Sequence, residues 1–467
     1  MTDHHFATAT ELTRAYASGE ITPVDIAGMM LARIEALDAS VNAYCHLDPE
    51  TTMAMAEASA ERWTNGTPLS PLDGVPVAIK DLLVTRGWPT LRGSLTVDRT
   101  QAWNDDAPSV ARLRAAGCVF TGKVTTPEFG WKATNDSPLT GITRNPWNLA
   151  KTPGGSSGGS AAAIAAGLTT LAIGTDAGGS IRIPASFCNV FGFKPSFGRI
   201  AAWPLSPFGT LAHVGPMARN VEDAALFLDV MAGPDTRDWY SLPRESLTYA
   251  DGLHTGIKGA RIAYSATLGY ARVDSEVAEL CAAAARAFEA LGAHVEAIDP
   301  LTDDPLPAFK PLYYGAAHLL LGRLPPEKKA QLEPALAALA EEGSRLTLDD
   351  YLAAQQARAA LGIRMRQFME RYDYLLTPQL AVPAFDVGLI APKSHADMPY
   401  WTGWTAFTYP FNLTQQPAAT INCGFTQAGL PVGIQIVGRN FEDHAVLRAA
   451  FAYETAHPNW QRHPKDF

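Results

Sequence analysis

Apolar positions recur along this chain with two periods, and the exchange of one for the other marks out its elements. Ile26, Met29, Met30, Ile34 and Leu37 fall on one helical face. They follow a capping Thr22, a proline at the first helical position and Asp25 in the first turn, and so predict an amphipathic helix over 23–38. A second helix is expected at 50–64. GVPVAIK at 74–80 reads as a short apolar strand ending on a lysine, and 106–116 as a helix stopped by Gly117, with 118–124 the next strand. Farther on, 161–167 is a small-residue helix and TTLAIGT at 169–175 a buried strand. Helices follow at 221–232, 275–291 and 442–455, and strands at 261–265, 294–298, 374–377, 418–423 and 432–437. Residues 305–372 differ in kind: helical runs at 327–341 and 347–371 predict a mostly helical excursion packed over a sheet. Alternation of strand and helix predicts an α/β layered fold with a substantial parallel component. There is no repeat, charge block or linker, so residues 1–467 are expected to form a single domain.

Composition narrows the classes. An apolar fraction of 47% with 18% charged residues is that of a soluble globular protein. A formal charge of −10 speaks against nucleic acid or an anionic membrane surface as partner. Cys45, Cys118, Cys188, Cys281 and Cys423 are odd in number and lack CxxC spacing. They predict reduced, buried thiols in a cytoplasmic setting and no structural zinc or other metal site. The opening MTDHHFATATELTR has neither a basic region nor an apolar run, so no signal peptide is expected. The longest apolar span, 161–175, is too short and too rich in Gly and Thr to cross a bilayer.

The chemistry concentrates between 151 and 199, in two glycine-serine knots, GGSSGGS at 154–160 and DAGGSIR at 176–182. Glycine lets backbone N–H groups approach a ligand closely, and a serine hydroxyl can attack or relay a proton. A packed helix and strand between the knots argues against a flexible linker. Gly154–Gly158 formally matches GxSxG, the nucleophile elbow of α/β-hydrolases, but that elbow needs a histidine base and none lies between His46 and His213. Gly117-x4-Gly122-Lys123 approaches a phosphate-binding loop, with Val124 where a Ser or Thr should stand and the glycines between helix and strand in the wrong order. A third reading pairs a serine nucleophile with a lysine base, for which Lys80 is the candidate.

Wider motifs support the third reading. GVPVAIKD at 74–81, GKVTTPEF at 122–129, TRNPWN at 143–148 and PGGSSGGSAAA at 153–163 resemble the amidase signature family. So do GTDAGGSIRIPASFCNVFGFKPSFGR at 174–199, GPMARNVEDAA at 215–225 and PFNLTQQPA with GLPVGIQIVG near the C-terminus. The resemblance covers nearly the whole chain. It implies a mixed, twisted β-sheet sandwiched between α-helical layers, and a Ser-Ser-Lys triad that falls on Ser180, Ser156 and Lys80. It also implies a cis peptide between Gly155 and Ser156, and a backbone carbonyl at Gly130 facing the substrate. The family usually carries Asn after the Lys-Asp pair, where this chain has Leu82.

The residues agree with that assignment. Successive N–H groups of Ala177, Gly178, Gly179 and Ser180 form a candidate oxyanion hole. Lys80 must be neutral to accept a proton, so it should be buried without a carboxylate partner; Asp81 points away if the strand is extended. Asp176 and Arg182 are expected to pair across the nucleophile turn, and Ser157 to hydrogen-bond around the triad. Trp131 after Gly130, and the aromatic run Tyr400, Trp401, Trp404 and Phe407, are expected to wall an apolar pocket. With Arg182 paired and Lys80 neutral, a neutral apolar or aromatic amide is expected and an anionic one disfavoured. The function expected is a cofactor-free hydrolase cleaving carboxamide C–N bonds through an acyl-enzyme, as a monomer or homodimer. Hydrolysis of carbamates (a urethanase) or esters is the alternative in the same site. The glutaminase component of a tRNA-dependent amidotransferase, which the resemblance also covers, is a further one.

Overall fold

The computed structural model describes residues 4–299 and 301–467. Its centre is one eleven-stranded sheet: β1 Tyr44–His46, β2 Pro76–Lys80, β3 Val119–Val124, β4 Leu171–Asp176, β5 Phe191–Lys194, β6 His213–Ala218, β7 Arg261–Tyr264, β8 His294–Ala297, β9 Tyr374–Pro378, β10 Ala418–Phe425 and β11 Pro431–Val437. The spatial order is β1-β3-β2-β4-β6-β5-β10-β11-β9-β7-β8. β2 runs parallel to both β3 and β4, and β7 parallel to both β8 and β9; the remaining pairings are antiparallel. The sheet is therefore mixed, with parallel blocks toward its two ends.

Helices cover both faces, and strand alternation decides which side chain meets which layer. Val77 and Ile79 of β2 pack in one core with Val110 and Leu113 of helix Pro108–Ala115 and with Leu228 of helix Val221–Met231. Ala78 faces the other way, into a core with Ile34 and with Ala162 of helix Gly158–Ala165. Lys80, two residues on, lies on that second side.

Helix Pro23–Val41 begins as the sequence reads, with a capping box between Thr22 and Asp25. The run expected at 327–341 is instead two helices, Pro326–Lys329 and Pro334–Ser344. A proline inside a helix removes a hydrogen bond and crowds the preceding turn, so Pro334 opens a new helix. Leu348–Met369 is one long helix. The helix Leu306–Leu321, absent from the sequence reading, carries Phe309, Leu312 and Tyr313 into a core shared with Trp131, Trp401 and Trp404. No helix among the described residues is long and apolar enough to cross a membrane.

Candidate active site

The parallel pairing of β2 and β4 brings Lys80 and Asp176, the last residue of each strand, to the same edge of the sheet. The first glycine-serine knot leads into helix Gly158–Ala165, and the second follows β4 directly. The Ser157 N–H donates to the Ser180 carbonyl at 3.0 Å and ties one knot to the other.

Lys80 is fully buried, and its Nζ donates to Ser156 Oγ at 2.8 Å, Ser157 Oγ at 2.8 Å and Thr175 Oγ1 at 2.9 Å. Burial pushes its pKa well below that of an ordinary lysine, and the charge of Asp176 only partly opposes this. Asp81 takes no share in the cluster: its carboxylate lies 3.3 Å from the Lys123 ammonium. That pairing also disposes of the phosphate-loop reading, because Gly122 and Lys123 sit inside β3, with Lys123 buried. The Gly155–Ser156 peptide is cis.

Ser180 is half-buried, and among the described residues its hydroxyl has no hydrogen-bond partner; it and Ser156 open onto one cavity. The turn carrying it is held from inside by Asp176, whose carboxylate accepts from the Gly179 N–H at 2.7 Å and the Ile181 N–H at 3.2 Å. Arg182 donates to the same carboxylate at 2.9 and 3.0 Å, and Asn412 at 2.8 Å. Burial alone would raise the Asp176 pKa; the Arg182 charge and hydrogen bonds outweigh it and hold the carboxyl well below its usual range. Arg182 is itself completed by Gln435 and Asn412, both at 2.7 Å.

This geometry corrects the four-donor oxyanion hole. The Gly179 N–H is engaged by Asp176, whereas the N–H groups of Ala177, Gly178 and Ser180 have no acceptor among the described residues. Gly179 itself has φ +124, and a Cβ there would lie 2.6 Å from Thr408, so the turn admits no larger residue.

The cavity is walled by Leu82, Phe129, Trp203, Leu205, Phe208 and Leu320, with Gly130 beside Ser156. A Cβ at Gly130, where φ is +71, would lie 3.2 Å from Ser156 Oγ and 2.7 Å from Leu82 Cδ1. The placement of Trp131, Trp401 and Trp404 in the pocket wall is corrected: none lines the cavity. Each is buried, and its indole N–H is taken by Glu333, the Trp131 carbonyl and the Ile390 carbonyl respectively. Trp401 and Phe309 instead support the Gly178 turn from behind. Leu82 adds apolar wall in place of the family's usual amide. Arg182 is paired as expected, but a cation from outside the catalytic segment, Arg92, also lines the cavity. Among the described residues no histidine hydrogen-bonds to Ser156 or Ser180. His213 borders the cavity but turns Nδ1 toward the Leu211 and Asp176 carbonyls, at 2.8 and 3.2 Å.

The amidase family model matches residues 25–447. The chain belongs to the amidase family. Its membership makes it a hydrolase acting on amides. The chain is similar to an acylamidase of Rhodococcus erythropolis, 37% identical with 99% of this chain and 98% of the relative covered. It is also similar to one component of the glutamyl-tRNA(Gln) amidotransferase of Chloroflexus aggregans, 35% identical with 97% of each covered. Among solved structures, a bacterial aryl acylamidase of the amidase signature enzymes superposes with a TM-score of 0.91 at 30% identity, over 98% of this chain and 97% of that one.

Proposed function

We propose that this amidase cleaves amides of apolar acyl or aryl groups through an acyl-enzyme on Ser180. Ser180 attacks the carbonyl carbon, and its proton passes to Ser156 and on to neutral Lys80. The N–H groups of Ala177, Gly178 and Ser180 receive the oxyanion of the tetrahedral intermediate. Collapse breaks the C–N bond as the proton returns through Ser156 to the leaving amine. Water then repeats the attack and releases the acid. The observation that carries this reading is the buried Lys80 Nζ at 2.8 Å from Ser156 Oγ, with no carboxylate among the described residues in its hydrogen-bond shell. Likeness to an acylamidase and an aryl acylamidase supports the substrate class. Aryl carbamates and esters pass through the same oxyanion and fit the same site.

Likeness to amidotransferase components favours a second reading, glutamine hydrolysis within a complex. Turnover of a neutral anilide, an aryl carbamate and glutamine by the isolated chain separates the two. The proposal expects anilide turnover with little ammonia from glutamine. Glutaminase activity without anilide turnover would overturn it.

A further inference from the structure

We propose that Arg92 anchors a carboxylate carried by the substrate, so that the preferred amides join an apolar body to an acid group. This rests on the reading of Ser180 and Ser156 as the reacting centre. Arg92 lines the same cavity as those serines. Its own position is fixed close to them: the Phe129 N–H donates to the Arg92 carbonyl at 2.8 Å, and the next residue, Gly130, packs on Ser156 Oγ.

Two further observations set Arg92 apart. Its backbone is held at φ +58, a left-handed conformation uncommon outside glycine and one that clusters at functional sites. The N–H groups of Arg92 and Gly93 sit against the Asp81 carboxylate, directly after Lys80 in the chain. Among the described residues the guanidinium makes no hydrogen bond, close ion pair or ring contact, and only the Asp81 carboxylate attracts it at longer range. Other well-covered arginines are all engaged: Arg182 by Asp176, Gln435 and Asn412, Arg199 by Asp443 and Glu245, Arg358 by Leu413 and Thr210. The other charged group on the cavity wall, Asp176, is saturated by Arg182, Asn412 and two backbone N–H groups.

A half-buried cation facing an apolar cavity calls for an anion, and a planar guanidinium matches a carboxylate with two parallel hydrogen bonds. Leu82, Phe129 and Phe208 supply the apolar contacts beside it. The substrate class is then an amide whose acyl chain or amine ends in a carboxylate.

The test compares kcat/KM for an anilide whose acyl chain ends in a carboxylate with its methyl-terminated analogue, and for a matched pair carrying the acid on the amine. Wild-type protein should prefer one carboxylated member about tenfold or more, a gap that narrows at high salt. Arg92→Asn suits the left-handed backbone. It should lower kcat/KM for the preferred acid substrate about ten- to a hundredfold while moving the methyl analogue less than about threefold. Arg92→Lys should keep part of the preference. Equal losses on both members of the pair, or no preference in the wild type, would overturn the proposal. Should Arg92→Asn fail to fold, the wild-type comparison decides by itself. If the methyl analogue turns over without any carboxylate preference, this inference alone fails. If no substrate turns over and Ser180 takes no fluorophosphonate label, the triad reading fails with it.

Discussion

Asp81 directly follows Lys80, yet the two side chains serve different clusters. Lys80 Nζ lies 2.8 Å from Ser156 Oγ, while the Asp81 carboxylate lies 3.3 Å from the Lys123 ammonium. A carboxylate against Lys80 would stabilise its ammonium form and remove the base. β2 ends at Lys80, and the turn that follows it, closed by the Leu83 N–H on the Lys80 carbonyl, leaves the Asp81 carboxylate with Lys123 instead.

The pH dependence follows from this separation. Burial favours the neutral amine, so Lys80 loses its proton at a lower pH than an exposed lysine. Activity should rise with pH through that depressed pKa and level off above it, because only the neutral form accepts the proton. Lys80→Met should lower kcat by about 10²–10⁴-fold and abolish the acid limb. A pH–rate profile on a neutral anilide checks both; an unchanged acid limb in the variant would assign it to another group.

Gly130 is the most constrained point of the cavity wall. Any Cβ meets Leu82 at 2.7 Å and Ser156 Oγ at 3.2 Å on a left-handed backbone. Gly130→Ala should displace Ser156 and reduce kcat about tenfold or more, as small misplacements of reacting groups do. The melting temperature should fall only modestly. Wild-type kinetics in this variant would show that the Ser156 position is not critical.

Much of this was legible in the sequence. The strands at 74–80, 118–124, 169–175, 261–265, 294–298, 374–377, 418–423 and 432–437 appear within a residue or two, because they are apolar runs between turn signals. The glycine-serine knots and the strand-ending lysine point to a serine paired with Lys80, and the family resemblance places the expected triad on Lys80, Ser156 and Ser180; the structure sets Lys80 against Ser156 and opens Ser156 and Ser180 onto one cavity. Tyr44–His46 has only three residues, and Gly192 and the Gly215-Pro216 pair interrupt the apolar runs of Phe191–Lys194 and His213–Ala218, so none of the three stands out as a strand in the sequence. Helix Ala9–Ser18 was missed although Thr8 and Glu11 form its capping box, a signal present in the sequence. The aromatic wall was misplaced because apolar content alone does not tell a core tryptophan from a pocket one. Asn412, Gln435, Thr408 and Arg92 reach the site from distant segments, and no local spacing announces them.

Away from the site, Glu454 couples stability to pH. Its carboxylate receives the Val221 N–H at 3.0 Å, but burial dominates and raises its pKa from 4.5 to about 8. Between those values the native state binds a proton that the unfolded chain releases, so stability falls as pH rises through that window. The loss is on the order of 4 kcal/mol for a shift of this size. Glu454→Gln keeps an acceptor for Val221 and carries no charge. Its denaturation midpoint should vary less between pH 5 and pH 8 and exceed that of the wild type at pH 8. A wild-type pH dependence in the variant would contradict the assignment.

The identity of the nucleophile is tested most directly by covalent labelling. A fluorophosphonate probe reacts with an activated serine and stays on it, and peptide mass spectrometry then locates the adduct. With Ser180 open to the cavity and Ser156 bonded to Lys80, the label should fall on Ser180, within the 176–182 segment, and be lost in Ser180→Ala. An adduct on Ser156, or labelling that persists undiminished in Ser180→Ala, would contradict the proposed mechanism.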